Sequence, residues 1–250
     1  MIQFLRGMKR HCIRNIRGLL RRLRPGGPIF YVKAFSQQGE DILINCLFQA
    51  NRTGFYVDIG AHHPLHYSNT QLFYAQGWRG INIEPNPGIM AEFARRRPND
   101  INLSLGIASK AGEMTYHVFS ESALNTFDEA TARDCEAHGR SELLDKIVIP
   151  TRTLASVLDE YLPPGTTIDF MSVDVEGLDE EVLRSNNWEK YRPRAIIAED
   201  LQAFVFQHVM NSKLTAFLSS VGYTPVSKLV HSVVYYESAR IVGSREVLIV

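Results

Sequence analysis

Short apolar runs alternate with amphipathic stretches along most of the chain. Runs of five to seven mainly apolar residues predict strands at 55–59, 80–84, 101–107, 168–173, 195–199, 223–227, 232–237 and 246–250. Between them, apolar spacings of three and four predict helices at 36–50, 68–76, 87–96, 153–161, 178–185 and 203–220. This alternation is typical of an α/β fold, in which helices cover both faces of a largely parallel sheet.

One stretch interrupts the alternation. In residues 110–150, the apolar runs GEMTYHVF and DKIVIPT flank a polar segment, which predicts a hairpin-like insertion. Among the large aromatic residues we expect Trp78 and Phe204 to lie in the core. The length and composition, 250 residues with 45% hydrophobic, allow one domain with additions.

The first residues differ in charge from the rest. Residues 1–39 hold nine Lys or Arg and no acid, so the remainder carries 18 bases against 27 acids. Within 1–24 the apolar residues recur with helical spacing, which predicts a basic amphipathic helix that Pro25–Pro28 ends. We therefore divide the chain into an arm and hinge, 1–28, and a domain, 29–250. The helix either contacts an anionic membrane surface or partner, or packs on its own domain.

Other features limit the location of the protein. No run of about 18 apolar residues predicts a membrane span, and the arm lacks the small-residue cleavage site of a secretory signal. The cysteines, Cys12, Cys46 and Cys135, are scattered and lack metal-ligand spacing. They favour a reducing, cytoplasmic compartment.

Acidic residues end four successive predicted strands. They are Asp58, Glu84, Asp174 with Glu176, and Glu199 with Asp200. Ligands of open α/β sheets bind at the carboxyl ends of the strands, and burying an unpaired carboxylate costs several kcal/mol. We therefore expect these acids to share one polar cleft.

The loop after the first strand indicates which ligand this cleft binds. A dinucleotide fold needs three glycines to hold a pyrophosphate, whereas GAHHPLH supplies only Gly60. Glu84 follows Gly60 by 24 residues, a spacing at which a carboxylate accepts both hydroxyls of a ribose. A ligand with a ribose but no phosphate fits this pattern, and we predict S-adenosyl-L-methionine. Its candidate binding residues are Asp58, Gly60, Ala61, Ser68, Asn69 and Glu84, although Ser68 and Asn69 could instead cap the following helix.

Four segments carry a resemblance to a known family. YVDIGAHHPLHYSNTQLFYAQGWRGINIEPNP, ALNTF, MSVDVEGLDEEVL and AIIAED resemble the FkbM-type S-adenosylmethionine-dependent methyltransferases over roughly residues 35–200. The resemblance implies a three-layer α/β/α class I methyltransferase fold, Rossmann-like, with a seven-stranded, mostly parallel sheet whose last strand is antiparallel. It also implies O-methylation of natural products or of sugars in bacterial surface polysaccharides. The loop departs from the family, because GAHHP replaces the commoner GANxG.

The chemistry of sugar methylation suggests roles for the remaining acids. A sugar hydroxyl must lose its proton, so the enzyme needs a base, a metal ion, or both. By similarity to metal-dependent macrolide-sugar O-methyltransferases, Asp174, Glu199 and Asp200 are candidate Mg²⁺ ligands and Glu176 is the candidate base. Without a metal these acids would orient substrate instead. His62 is a further candidate base beside the donor.

The combined prediction is a cytoplasmic sugar or glycan O-methyltransferase, which residues 1–24 would hold at the inner face of the membrane if they contact lipid and do not pack on the domain. A non-catalytic methyltransferase-like module that docks a glycan-assembly complex is the alternative of a different class. An NAD-linked dehydrogenase is disfavoured by the missing glycines. Nucleic-acid methylation is disfavoured by the acidic domain and by the lack of a base-methylating motif. The sequence leaves the oligomeric state open.

Overall fold

A computed structural model describes residues 32–48 and 53–243 of the chain. From residue 34 onwards these residues belong to one compact unit. The helix predicted within 1–24 and the strand predicted at 246–250 lie outside the described residues. The division of the chain at residue 28 therefore stays a prediction.

The described residues form ten strands. They are β1 (Phe55–Ile59), β2 (Arg79–Ile83), β3 (Ile101–Leu103), β4 (Gly106–Ile107), β5 (Gly112–Phe119), β6 (Leu143–Arg152), β7 (Phe170–Val173), β8 (Ala195–Glu199), β9 (Tyr223–Lys228) and β10 (Ser232–Glu237). Seven of them form a sheet in the order β3-β2-β1-β7-β8-β10-β9. β10 runs antiparallel to both of its neighbours, and the pairs from β3 to β8 are parallel. The predicted mostly parallel sheet with an antiparallel last strand is confirmed for this part of the chain.

The other three strands form a small second sheet in the order β4-β6-β5. β5 and β6 pair antiparallel from Gly112 opposite Thr151 to Phe119 opposite Leu143, which confirms the predicted hairpin-like insertion. The single strand predicted at 101–107 is instead two strands, because β3 pairs with β2 while β4 pairs with β6.

Nine α-helices lie in the described residues. They are α1 (Glu40–Leu47), α2 (Gln71–Ala75), α3 (Pro87–Arg96), α4 (Glu129–Ala137), α5 (Leu154–Tyr161), α6 (Asp179–Arg184), α7 (Phe206–Asn211), α8 (Lys213–Ser220) and α9 (Ser238–Gly243). The predicted helix 203–220 is broken at Ser212, whose extended ψ of 150° ends α7 while its side chain accepts the Thr215 N–H to cap α8. α1 begins at Glu40 and not at Ser36, because Gly39 adopts a left-handed φ of 93°.

Both faces of the large sheet are buried, as expected for parallel strands. Neighbouring residues of β1 show this alternation: Tyr56 packs in a cluster with Phe73 of α2, and Val57 packs in another with Leu154 of α5. Helices therefore cover both faces of the sheet, and the carboxyl ends of its strands remain accessible.

The two aromatic residues expected in the core differ. Trp78 is buried, as predicted. The prediction for Phe204 is wrong: its side chain is 74% exposed, because it lies in the loop between β8 and α7 and not within a helix. No helix of the described residues is long and apolar enough to cross a membrane.

Candidate active site

A cavity of about 350 Å³ lies at the carboxyl ends of β1, β2, β7 and β8. Its volume falls within the range of small-molecule sites. Six carboxylates line it, contributed by Glu40, Asp58, Glu84, Asp174, Glu176 and Glu199. The four predicted strand ends therefore meet in one cleft, and α1 adds a fifth source of acid. Arg140 is the one Lys or Arg among the described lining residues.

Asp58 and Gly60 form the β1 side of the cavity. The Asp58 carboxylate is buried and accepts a hydrogen bond from the Thr70 hydroxyl at 2.6 Å. Burial raises the pKa of Asp58 to about 6. Gly60 has φ 74°, and the N–H groups of Gly60 and Ala61 both donate to the carbonyl oxygen of Ile83. The predicted donor-binding residues Asp58, Gly60 and Ala61 thus lie together on the cavity wall.

Glu84 forms the β2 side of the cavity. One carboxylate oxygen accepts the N–H of His62 at 3.0 Å, and the other accepts the N–H of Asn86 at 2.9 Å. The Tyr116 hydroxyl contacts the second oxygen at 3.4 Å. Burial raises the pKa of Glu84 to about 7, although these hydrogen bonds act in the opposite direction. Glu84 is therefore fixed in place and faces the cavity.

His62 occupies the position of Asn in the commoner GANxG loop. Its φ of 50° is left-handed, a conformation in which Asn and His are both enriched. Its ring Nε2 lies 3.0 Å from the Ser122 hydroxyl, and burial lowers its pKa. His63 has a different role, because its Nδ1 accepts the N–H groups of Leu65 and His66 and stabilises the loop.

Ser68 and Asn69 separate into two roles. The Ser68 hydroxyl is buried, accepts the Gln71 N–H at the start of α2, and does not line the cavity. Its geometry supports the capping alternative. Asn69 lines the cavity and donates to the Ser172 hydroxyl at 3.0 Å, so it remains a candidate donor-binding residue.

A buried arginine supports the donor side from behind. Arg97 is fully buried and donates to the carbonyl oxygen of Pro64 and to the Ser68 and Thr70 hydroxyls. Because Thr70 in turn donates to Asp58, the guanidinium lies one hydroxyl away from a donor-binding carboxylate. Sequence reasoning missed Arg97, which sits in an ordinary run of three arginines at the end of α3.

Three carboxylates come together on the other side of the cavity. Asp174 and Glu176 follow β7, Glu199 ends β8, and one oxygen of each lies within 4.8 Å of the others. This group, the acid triad, replaces Asp200 of the predicted metal set by Glu176. The backbone N–H of Asp200 donates to the carbonyl oxygen of His231, and its carboxylate is not part of the group.

The three carboxyl groups of the acid triad lie close together and are partly buried. Burial raises the pKa of all three carboxyls, and the negative charge of their acidic neighbours raises each pKa further. The Arg140 guanidinium lowers the pKa of Glu176. One oxygen of Glu199 is buried and has no hydrogen-bond partner among the described residues. The triad would therefore gain from a proton or a cation.

The wall next to the triad comes from α1 and β10. The Glu40 carboxylate accepts the N–H of Gln38 and the Ser232 hydroxyl. The Gln38 amide accepts the His231 N–H and donates to the His231 ring. Gln37 and Glu40 line the cavity, whereas Asp41 is buried and accepts hydrogen bonds from the Phe35 N–H and the Ser36 hydroxyl.

The inserted hairpin covers the top of the cavity. Tyr116 of β5 reaches Glu84, and residues 122–127 complete the lining. Asn125 lies in this segment, and its side-chain oxygen accepts the Phe119 N–H at 2.7 Å.

Backbone strain is concentrated at the cavity. Apart from glycine, the described residues adopt a left-handed φ only at His62, Tyr67 and Glu176, and all three line the cavity. Such conformations cost about 1–3 kcal/mol each and cluster at functional sites. Tyr67 was not predicted from the sequence. Its exposed ring is stacked at 6.1 Å from the ring of His62.

We compared the chain with proteins of known structure. Structural similarity covers 88% of this chain and 94% of a Klebsiella pneumoniae protein provisionally assigned as an O-methyltransferase, with 11% identity and a TM-score of 0.41. It covers 83% of this chain and 82% of an O-methyltransferase from Bacillus cereus in complex with SAH, with 13% identity and a TM-score of 0.40. It covers 82% of this chain and 92% of the precorrin 8W decarboxylase of Methanobacterium thermoautotrophicum, with 15% identity and a TM-score of 0.38.

At these low scores the structural similarities support no functional conclusion. A comparison with curated proteins found no match. The sequence comparison is decisive, since residues 58–225 match the methyltransferase FkbM domain. The matched segment contains Asp58, Glu84 and the acid triad. Because it spans well over half of the chain, the protein belongs to the FkbM methyltransferase family, whose methyl donor is S-adenosylmethionine.

Proposed function

We propose that the protein is an O-methyltransferase that methylates a sugar hydroxyl in the biosynthesis of a bacterial surface polysaccharide or glycolipid. The main supporting observation is the acid triad, which shares one cavity with the donor-side residues Asp58 and Glu84. Such an arrangement joins a site for a cationic methyl donor to a site that can deprotonate an alcohol.

The donor side fits S-adenosylmethionine. Glu84 is held by two backbone N–H groups with its carboxylate facing the cavity, where it can accept the hydroxyls of a ribose. Asp58 places negative charge beside the loop that would face the methionine part. The bound donor supplies a methyl group on a positively charged sulfur. The chain itself orients that group and attracts its charge.

The acceptor side fits an alcohol. A sugar hydroxyl has a pKa far above neutrality, so a base must remove its proton as the methyl group is transferred. The raised pKa of Glu176 brings this carboxyl towards the pH at which it can hold such a proton. His62 is the alternative base. Its lowered pKa leaves the ring neutral and able to accept a proton.

Mg²⁺ suits the acid triad. All three side chains offer oxygen ligands, which Mg²⁺ prefers, and one buried oxygen of Glu199 has no hydrogen-bond partner among the described residues. We propose Asp174, Glu176 and Glu199 as the ligands in place of the set that included Asp200. A bound Mg²⁺ would lower the pKa of an acceptor hydroxyl. In that arrangement Glu176 is a ligand, and His62 is the candidate base.

The location of the enzyme follows from its charges. Residues 1–24 hold eight Lys or Arg and no acid, and we propose that they contact an anionic membrane from the cytoplasmic side. There the catalytic domain would meet glycans that are assembled at the membrane. The acidic lining of the cavity does not favour nucleic acid, whose phosphates it would repel.

Transfer of a labelled methyl group tests the function directly. The purified protein, S-adenosylmethionine labelled in its methyl group and Mg²⁺ are incubated with free sugars, nucleotide sugars and lipid-linked glycans. We expect an O-methyl sugar, identified by mass spectrometry, that is lost in Asp174→Asn. Asp145→Asn, on the exposed part of β6, is the matched control.

One competing function is a non-catalytic module that docks a glycan-assembly complex. It is favoured if the protein binds S-adenosylmethionine but transfers no methyl group to any acceptor, with or without Mg²⁺. Methylation of a nitrogen in protein or nucleic acid would contradict the proposal in a different way. Mass spectrometry would then find the labelled methyl group on that product and not on a sugar oxygen.

A further inference from the structure

A run of exposed apolar side chains lies beside the acid triad. Leu201, Phe204, Val205, Phe206 and Met210 lie in the segment 201–210 that follows β8, and each is at least 49% exposed. Val230 is also exposed and precedes His231, whose carbonyl oxygen accepts the N–H of Asp200. Single exposed apolar residues are normal on a protein surface, whereas a cluster of large ones marks a binding surface. Three polar residues of the same segment, Gln202, Gln207 and His208, are also exposed. We call the six apolar residues the apolar patch.

The apolar patch reaches the cavity at Leu201, and a second patch residue, Val230, is next in the chain to a lining residue. Leu201 belongs to both, since it lines the cavity and is 52% exposed. Val230 adjoins His231, which also lines the cavity. Glu199 of the acid triad is only two residues from Leu201. A molecule whose hydroxyl reaches the triad can therefore extend outwards across the apolar patch.

The arrangement of α7 strengthens this interpretation. Phe206 and Met210 are four residues apart, so they lie on the same face of the helix, while Val209 on another face is fully buried. α7 thus packs one side in the core and leaves large apolar side chains exposed on the other. Burial of Val209 fixes the helix, so the exposed face is a pre-formed surface.

The size of the apolar patch selects the kind of ligand. A stable protein interface uses about 20–30 residues from each partner, and six side chains are too few for a second copy of the chain. A single hydrocarbon chain or other small apolar group is of the right size. The neighbouring cavity is instead lined by carboxylates, which suit a hydroxylated head group.

We infer that the acceptor is amphipathic: its hydroxylated head enters the cavity, and its hydrocarbon part lies on the apolar patch. This inference rests on the proposed function, of which it specifies the substrate class. It makes the patch a second determinant of acceptor binding, separate from the groups that carry out the reaction.

Binding of alkyl glucosides tests the inference without requiring methyl transfer. Calorimetry compares glucose with hexyl, heptyl and octyl glucoside below their micelle concentrations, in the presence of S-adenosylmethionine. We expect each added methylene to tighten binding by about two- to fourfold. The double variant Phe204→Ser/Phe206→Ser should lose this dependence and bind octyl glucoside about tenfold more weakly. Val148→Ser, an equally exposed apolar residue on β6, is the matched control.

Several results would overturn the inference. Equal binding of glucose and octyl glucoside, or equal binding by the double variant and the wild type, contradicts it. A wild-type dimer that the double variant converts to monomer assigns the patch to a second copy. Loss of vesicle binding in the double variant, without binding of alkyl glucosides by the wild type, assigns it to a membrane. If alkyl glucosides bind as expected but no acceptor is methylated, the proposed function fails while the apolar patch remains a ligand site.

Discussion

A Cβ atom at Gly60 would lie 1.8 Å from the backbone carbonyl oxygen of Asp174. This relationship joins the loop after β1, on the donor side, to the end of β7, which carries the acid triad. The two sides of the cavity are therefore in direct backbone contact, and no side chain fits between them.

Gly60→Ala should be strongly destabilising, because it meets both this contact and a left-handed φ of 74°. We expect the free energy of unfolding to fall by about 3 kcal/mol or more. Gly165→Ala is the matched control, since Gly165 has φ 75° and no atom within 4 Å of an added Cβ. Its loss should be only about 1–2 kcal/mol, the cost of the conformation. If urea denaturation shows the same loss of unfolding free energy for both variants, the backbone at Asp174 can move aside for the added Cβ and the contact does not destabilise the variant.

Glu84→Gln should weaken the binding of S-adenosylmethionine. The variant keeps one acceptor oxygen, so one of the two loop N–H groups loses its acceptor, and it removes the charge that would hold the ribose hydroxyls. We expect a loss of about 1.5–3 kcal/mol in binding free energy, the value of hydrogen bonds to a charged group. Glu113→Gln, exposed on β5, should bind as the wild type does. Unchanged affinity in a folded Glu84→Gln protein would remove Glu84 from the donor site.

The same residue predicts a pH dependence of stability. Burial raises the pKa of Glu84 from 4.5 to about 7, so between these values the folded state holds a proton that the unfolded state releases. The free energy of unfolding of the ligand-free protein should fall as pH rises through this window. The contribution of Glu84 is on the order of 1–3 kcal/mol. Urea denaturation at pH 4.5 and 8 should show a smaller fall for Glu84→Gln, and parallel curves for the two proteins would contradict the assignment.

Activity should require a divalent cation. Treatment with EDTA should reduce turnover by about 100-fold or more, and added Mg²⁺ should restore it. Asp200→Asn should retain Mg²⁺ dependence with the same half-saturating concentration, since Asp200 is outside the acid triad, while Glu199→Gln should raise that concentration. Full turnover in excess EDTA would show that the triad acts through its protons alone. A Glu199→Gln variant with normal Mg²⁺ response would move the metal elsewhere.

The basic arm should bind anionic membranes. Each Lys or Arg near such a surface contributes about 1 kcal/mol, and residues 1–24 hold eight. We expect the full chain to sediment with vesicles containing phosphatidylglycerol and to dissociate as salt rises. A chain that starts at Gly27 should remain in the supernatant and still bind S-adenosylmethionine. If the shortened chain unfolds and the full chain ignores vesicles, residues 1–24 belong to the folded domain.

The sequence predicted the sheet well because its strands are buried on both faces. A run such as AIIAE of β8 is apolar up to the acid that ends it, and that acid stands out against the apolar background. The predicted cleft followed from those acids and from the rule that parallel strands end at one edge. Boundaries were less predictable where a single dihedral angle decides them, as at Gly39 before α1 and at Ser212 between α7 and α8.

The site was predicted less completely than the sheet, for three physical reasons. Glu176, which takes the place of Asp200 in the triad, has a left-handed φ, a conformation that a sequence pattern does not reveal. Arg97 reaches Asp58 only through the Thr70 hydroxyl, a relay across distant segments. The close approach of Gly60 to the end of β7 joins two segments that are distant in the chain, which a sequence pattern does not reveal.

The hairpin insertion begins and ends at nearly one place. Gly106 of β4 and Gly112 of β5 both pair with Thr151 near the end of β6, so about forty residues leave the main fold and return beside their starting point. Such a segment can be exchanged between relatives as a cassette without altering the strands that hold the donor residues. A transplanted cassette would have to keep Tyr116, which contacts Glu84, and Ser122, which contacts His62. Acceptor preference can thus diversify in this architecture while the methyl-donor half of the enzyme stays the same.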